Sequence, residues 1–270
     1  MRHPTQILNV LVSLLLLSLA SCTTHTRGPL LDEDLTPAAQ KVFTTYLDSV
    51  SQTCSVGYDG NGSIRWEYAL GNFAFPGYFK IGQPSSVFFS ALNPFGQPFY
   101  AVATDGETFS TVDTRTKTHL SGSVRSYALR NGIPMDFLTG NWASWLLGSP
   151  SVKDPVILAI REDTEGNGYW FTLALPPSDK IAAEHLLIDP LSGKLLQRSI
   201  LDIKEKPMAM FRYENWQENN GCMIPEKIVI DGLSFGTKAT IELNDIESAN
   251  FIDGDFRLHA PVGYRRLVMP

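Results

Sequence analysis

Cysteine is scarce: the 270 residues hold three, Cys22, Cys54 and Cys222, with no CxxC pair and no Cys/His cluster, so neither a redox dithiol nor a thiolate metal site is indicated. Histidine is nearly as rare. His3 and His25 fall near the N-terminus. His119, His185 and His259 stand in or near strand-like runs without a partner at ligand spacing, and read as surface or hydrogen-bonded imidazoles. No glycine-rich phosphate loop is present, because the Gly-x-Gly combinations fall in turns. Positive charge is in deficit, with 22 Lys and Arg against 28 Asp and Glu and a net charge of −6, which disfavours nucleic acid. No Ser/Gly/Pro linker and no repeat divides the chain after its first residues, so residues 35–270 read as a single domain. A composition 43% hydrophobic and 19% charged excludes a disordered chain.

The N-terminus carries the sharpest signal. After Arg2 and His3, residues 7–20 form an apolar run too short to span a bilayer and of the right length for a signal-peptide core. It ends in Leu19-Ala20-Ser21-Cys22, which resembles a bacterial lipobox. Residues 1–21 are then a lipoprotein signal peptide, and Cys22 becomes the acylated first residue. Thr23 rather than Asp follows it, which favours the outer membrane, on its periplasmic face. Residues 22–34 are polar and read as a tether of at most about 45 Å. Cys54 and Cys222 remain. In an oxidising compartment they either form a disulfide or sit as two separate buried thiols.

Beyond residue 35 the texture is helical once and then mostly β. Leu35, Ala38, Ala39, Val42, Phe43, Tyr46, Leu47 and Val50 recur at helical spacing, with Thr36 as N-cap and Pro37 in the first turn, so a helix is expected over 36–52. Strands are expected near 54–58, 63–70, 75–82, 86–92, 98–104, 107–113, 156–162, 168–175, 182–189, 194–204, 207–216, 224–231 and 237–244. They are separated by turn signals such as Asp59-Gly60-Asn61-Gly62, Asp105-Gly106 and Asn219-Asn220-Gly221. Short connections imply an antiparallel meander, and the absence of βαβ alternation argues against a parallel sheet. A second helix is expected over 133–147, where Ile133, Phe137, Leu138, Trp142 and Trp145 share roughly one face. Packing both helices against the concave side of one curved sheet would bury both apolar stripes.

Catalytic signals are weak, and no enzyme activity is expected. Gly232-Leu233-Ser234-Phe235-Gly236 has the pattern of a nucleophile elbow, but strand-like sequence on both sides makes it a hairpin turn, so an esterase is the weakest reading. Acidic pairs such as Glu162-Asp163 and Asp253/Asp255 read as solvated turn charge. Nothing implies a metal or other cofactor.

Aromatics are the informative excess. Residues 71–100 hold Phe73, Phe75, Tyr78, Phe79, Phe88, Phe89, Phe95, Phe99 and Tyr100. Either they alternate between core and surface, or some line a cavity for an apolar ligand. Phe79, Phe88, Phe89, Phe99, Trp142 and Trp145 are the candidates for such a lining. Phe95 is separate from these. It lies in Leu92-Asn93-Pro94-Phe95-Gly96-Gln97-Pro98, where Pro and Gly force a turn, and it either folds back onto the body or stands out to meet another surface.

The stretch from Tyr78 to Gly106 resembles the LolA/LolB-like superfamily of periplasmic lipoprotein carriers. The shared pattern is a strand, the turn Gln83-Pro84-Ser85, the strand Val87–Leu92, Asn93-Pro94-Phe95-Gly96, the strand Pro98–Thr104, and Thr104-Asp105-Gly106. The lipobox, the first helix, the central helix before Leu146-Leu147-Gly148 and the Asp189-Pro190…Gly193 hairpin follow in the same order. The resemblance covers most of residues 36–245, and residues 245–270 run beyond the usual end. It implies a mainly β (α+β) fold: a half-open antiparallel barrel of about eleven strands, with helices covering its concave side. It further implies an apolar cavity for acyl chains. Partners would be the acyl chains of lipoproteins or another lipid, the inner leaflet of the outer membrane, and a periplasmic carrier. A protruding apolar residue, matched here by Phe95 in the loop that also holds Leu92 and Pro94, would contact the membrane. A scaffold lipoprotein using the same barrel to bind a protein, and a carrier of another lipid, are the alternatives.

Overall fold

The computed structural model describes residues 25–50, 57–68, 71–82, 84–131, 133, 135–176, 181–233, 237–252 and 254–270. Cys22, Cys54 and Ser234 therefore lie outside the described residues, as do residues 1–21, expected from the sequence to be a signal peptide. Cys222 is buried and disulfide-bonded.

Fifteen strands form one open sheet. In chain order they are β1 (Arg27–Leu30), β2 (Gly57–Tyr68), β3 (Gly71–Gly82), β4 (Ser86–Leu92), β5 (Pro98–Thr104), β6 (Thr108–Asp113), β7 (Thr118–Ser123), β8 (Ile157–Asp163), β9 (Tyr169–Ala174), β10 (Ile181–Ile188), β11 (Leu195–Asp202), β12 (Pro207–Asn219), β13 (Cys222–Leu233), β14 (Thr237–Ala249) and β15 (Arg265–Met269). Their spatial order is β1-β8-β9-β10-β11-β12-β13-β14-β2-β3-β4-β5-β6-β7-β15. Two meanders are joined where β14 returns to pair with β2. Every described pairing is antiparallel except β15 on β7. The helices are α1 (Thr36–Val50), α2 (Val124–Asn131), α3 (Met135–Leu138) and α4 (Trp142–Leu147).

The strand number exceeds the expected eleven: both ends of the chain contribute a strand, β1 and β15, and β7 is a further strand not expected from the sequence. The segment taken for a tether docks: Arg27–Leu30 pairs with β8, Arg27 opposite Asp163 and Leu30 opposite Arg161. At the other end, the extension past β14 crosses the sheet before adding β15. Lys80 stands over both Phe88 and Phe251 and approaches Asp255 at 3.8 Å. Further on, Arg257 pairs with Asp105 at 3.1 Å, and the backbone of Leu258 bonds Ser110 and His119. Asp59-Gly60-Asn61-Gly62 is not a turn but the interior of β2. These glycines serve close approach: a Cβ on Gly62 would stand 2.3 Å from the Glu242 carbonyl oxygen and 2.8 Å from the Phe79 ring.

The helices occupy one face and the sheet wraps them. Four strand spacings of about 4.8 Å would put β4 and β13 about 19 Å apart in a flat sheet. The six-residue α4 contacts both. Side chains alternate along each strand, so β3 sends Phe75, Phe79 and Ile81 toward the helices and Lys80 away. α1 turns Ala39, Phe43, Tyr46 and Val50 inward, and Phe43 meets Phe171 at 4.9 Å. Its Thr36 hydroxyl donates back to the Asp32 carbonyl instead of capping the helix. The single helix expected over 133–147 is two short ones. Asn141 starts the second by accepting a bond from the Ser144 amide, and Gly148, left-handed at φ 71°, ends it.

A buried polar cluster pins this arrangement. Glu184 on β10 and Arg198 on β11 are diagonal neighbours, both shut off from solvent, with Nε and Oε2 3.6 Å apart. The Glu184 carboxylate accepts bonds from the amide and hydroxyl of Ser151, at 3.1 and 2.8 Å, and the Ser151 hydroxyl also accepts from the Trp145 indole. Arg198 donates to the Ser149 carbonyl. Tyr46 donates to the Gly148 carbonyl at 2.9 Å and Tyr213 to the Trp145 carbonyl at 2.7 Å. Burial pushes both phenols well above their ordinary range. Burial opposes the charge of Arg198, but Tyr213, Glu184 and Tyr46 outweigh that penalty and hold the guanidinium protonated. Thus α1, the end of α4 and three strands meet at one ion pair. Arg198→Met, which strands the Glu184 charge, is expected to cost about 3–5 kcal/mol in urea unfolding. The double variant Glu184→Gln/Arg198→Met should recover much of that loss.

Candidate functional site: an aromatic ladder and a projecting phenylalanine

The strand directions gather several hairpins at one end of the sheet. β2 and β4 run toward that end and β3 and β5 run away from it, so the turns after Tyr68 and Leu92 lie there. β6 also runs toward it, which adds Thr114–Lys117.

The turn at residues 93–97 is rigid by design of its first residue. The Asn93 side-chain oxygen accepts from the amides of Phe95 and Gln97 at 2.9 and 3.0 Å. The Asn93 backbone closes the loop with Gln97 and Gly96. Pro94 sets the turn and Gly96 takes φ 75°, a region glycine enters without strain. On this turn, whose free amides are all bonded back to Asn93, Phe95 is 87% exposed at the tip, beside exposed Pro94, and does not fold back onto the body. Leu92 is half-buried at the base.

Behind the tip, aromatic rings form a ladder on the helix-bearing face. Tyr68 stacks on Phe73 at 5.8 Å, Phe73 on Phe75 at 6.2 Å, and Phe75 meets Phe99 at 5.6 Å. A bulge makes the last contact: Ala91 pairs with Tyr100 and Leu92 with Pro98, which leaves Phe99 over to turn onto Phe75. The Arg115 guanidinium lies 5.2 Å from the Phe99 ring. Trp66, opposite Phe73, extends the surface. The ladder grades from half-buried Phe75 and Phe99 to Phe73, which is 46% exposed.

Of the residues chosen from the sequence to line a cavity, the structure separates three groups. Phe79, Phe89 and Trp145 are buried core: Phe79 packs on Phe89 at 4.6 Å, and Trp145 packs on Phe137 and Phe211. They are closed off by neighbours rather than facing open space. Phe88 is on the opposite face, across from Lys80 and under the C-terminal crossing, so it cannot line the helix-side interior. Trp142 and Phe99 are half-buried at the boundary between packed core and open sheet. Of the exposed members of the ladder, Trp66 and Tyr68 were missed, and Phe73 was named among the aromatics but not among the lining candidates. The signal for them is the β2–β3 register, which the misread turn at residues 59–62 concealed. The segment 232–236 joins two strands that pair antiparallel, with no helix following, so the strand-turn-helix of a nucleophile elbow is not built. His119 and His185 are buried and hydrogen-bonded, to the Leu258 carbonyl and to Arg27 respectively. Asp163 is also buried rather than solvated, and accepts from the Trp170 indole.

The architecture has clear structural counterparts. A LolA superfamily protein from Nitrosomonas europaea superposes with a TM-score of 0.53 at 13% identity, over 82% of this chain and 97% of that one. The fold is LolA-like. A putative outer-membrane lipoprotein-sorting protein domain from Vibrio parahaemolyticus gives 0.55 at 12% identity, over 82% and 95%. A DUF1329 family protein from Desulfovibrio piger gives 0.51 at 10%, over 82% and 97%. No family model matches the sequence, and no curated protein matches it.

Two substitutions separate the scaffold of the turn from its tip. Asn93→Ala, which removes the one oxygen that accepts from two amides of the turn, is expected to lower stability by about 1 kcal/mol. Phe95→Ala should stay within about 0.5 kcal/mol of the parent in urea unfolding. A larger loss at Phe95 would mean that the ring packs on the body.

Proposed function

We propose that this protein is a lipid-anchored carrier of the outer membrane that takes acyl chains onto the aromatic ladder and passes them to the bilayer through Phe95. The observation that carries the reading is the pairing of an 87% exposed phenylalanine on a turn tied together through Asn93 with a graded aromatic surface just behind it. A large ring held in water on a stiff support has a reason only if another apolar phase covers it. Burying one Phe contributes about 1.5–3 kcal/mol, enough to orient a tethered protein and too little to trap it. The ladder offers a sliding surface without directional bonds. A chain can therefore move from ring to ring and leave when the leaflet offers equal burial. The process needs neither nucleotide nor metal, and no catalytic step.

Cys22 is the proposed acylation site. Since β1 begins at Arg27, Cys22 lies at most about 17 Å of extended chain from the sheet, which would hold the body close to the membrane. The cargo favoured by the LolA-like fold is a lipoprotein, received from a periplasmic carrier and delivered to the inner leaflet. The packed contacts between helices and sheet favour chains held along the open end rather than sealed inside.

The test is transfer. Phe95→Glu should fold with unchanged circular dichroism and still reach the membrane, yet client lipoproteins should accumulate undelivered. Normal client localisation in that variant overturns the reading and moves the weight to a scaffold role for the same sheet.

A further inference from the structure

The face turned away from the helices carries a polar cleft near the β1 edge of the sheet. It has a volume of about 490 Å³, and Arg27, Arg161, Trp170, His185, Gln197 and Glu205 are among its walls. Arg27 and Arg161 both reach it, and neither lies within ion-pair distance of a carboxylate among the described residues; Arg161 donates only to the Gly28 carbonyl at 3.2 Å. The nearest acid in the wall, Glu205, is an exposed turn residue that attracts Arg27 from a distance.

Neighbouring groups confirm the unbalanced charge. Arg27 sits 3.0 Å from the His185 Nε2, a contact that requires this nitrogen to accept and the ring to be neutral. Burial, then Arg27 and Arg161, pushes the His185 imidazole down to about 4. Gln197 is 2% exposed with its side-chain oxygen unpartnered, and its amide nitrogen is spent on the thioether of Met210. Two forked cations, a buried amide with unused capacity and a roomy polar cleft form an incomplete set of interactions.

The nearby trio His25, Asp163 and Glu165 could be read as a cation site, but its centre is already filled. The Asn167 side-chain nitrogen is within 3.2 Å of all three.

We propose that this cleft binds an organic phosphate, with Arg27 and Arg161 clamping the phosphate oxygens and Gln197 bonding a hydroxyl beside it. Guanidinium forks match phosphate geometry, and the anion relieves the repulsion between the two arginines. Because Arg27 belongs to β1, a four-residue edge strand with an irregular register, ligand binding also fastens the N-terminal segment to the sheet. The inference does not depend on the acyl-carrier reading, since the site is on the other face.

Glycerol 3-phosphate is the soluble probe, and vesicles containing phosphatidylglycerol present the same group on a membrane. Calorimetric titration of the full-length mature protein should show saturable glycerol 3-phosphate binding. Arg161→Gln and Arg27→Gln should each weaken it at least tenfold, about 1.4 kcal/mol, with unfolding midpoints unchanged. Hydrogen exchange in Arg27–Leu30 should slow when the probe is bound. If vesicles bind in an Arg161-dependent way and compete with the soluble probe, the phosphate is a lipid headgroup; if the soluble probe alone shows that dependence, it is a free metabolite. Absence of saturable binding to either, or affinity that neither substitution changes, overturns the proposal. Should one arginine variant fail to fold, the other variant and the exchange measurement on the unmodified protein decide it.

Discussion

Glu184 and Arg198 place opposite charges where water does not reach, and a pair in that position is tolerable only if everything around it holds still. Ser151 donates twice to the carboxylate and the Ser149 carbonyl accepts from the guanidinium, while Trp145, Tyr46 and Tyr213 bond the same stretch, residues 145–151. The ties therefore run from α1 and β12, through residues 145–151, to the β10–β11 pair. The charge pair therefore contributes little as attraction, but misplacing any partner is costly, and this fixes α1 and α4 at one depth in the sheet. The apolar packing of Phe43 on Phe171 and Trp145 on Phe211 adds burial without direction; the polar cluster supplies the register.

From that anchoring follows a division of the sheet. The region around α1 and α4 is filled, while the ends of β2–β5 extend past the helices and keep their aromatic faces half open. The same chain that closes its interior thus leaves an apolar surface graded from core to solvent, ending at Phe95. The opposite face follows another rule. There the C-terminal crossing covers Phe88 and Ser110, and the arginine-lined cleft near β1 stays open, so the two faces are suited to different chemistry.

Much of this was legible in the sequence, and the gaps have physical causes. The α1 stripe of Ala39, Phe43 and Tyr46 has a period that only a helix can bury on one side, and most hairpins announce themselves through Gly with Asp or Asn. Phe95 was legible because Asn-Pro-Phe-Gly leaves the chain few ways to turn. Asp59-Gly60-Asn61-Gly62 misled because glycine serves close packing as well as turning: Gly62 lies under Phe79, a contact 17 residues away in sequence. The edge strands β1 and β15 were invisible since segments of four or five residues acquire strand geometry from a partner rather than from their own pattern. Glu184 and Arg198 were not singled out in the sequence, because their pairing depends on the β10–β11 register. The aromatic ladder likewise exists only once β2 and β3 are aligned.

The most direct test of the account is whether the open aromatic surface carries lipid. Residues 23–270, purified gently without the anchor, should yield acyl-bearing molecules by mass spectrometry at close to one per protein, and Phe73→Glu should deplete them. Lipid-free protein that also fails to bind a fluorescent fatty acid would contradict the carrier reading.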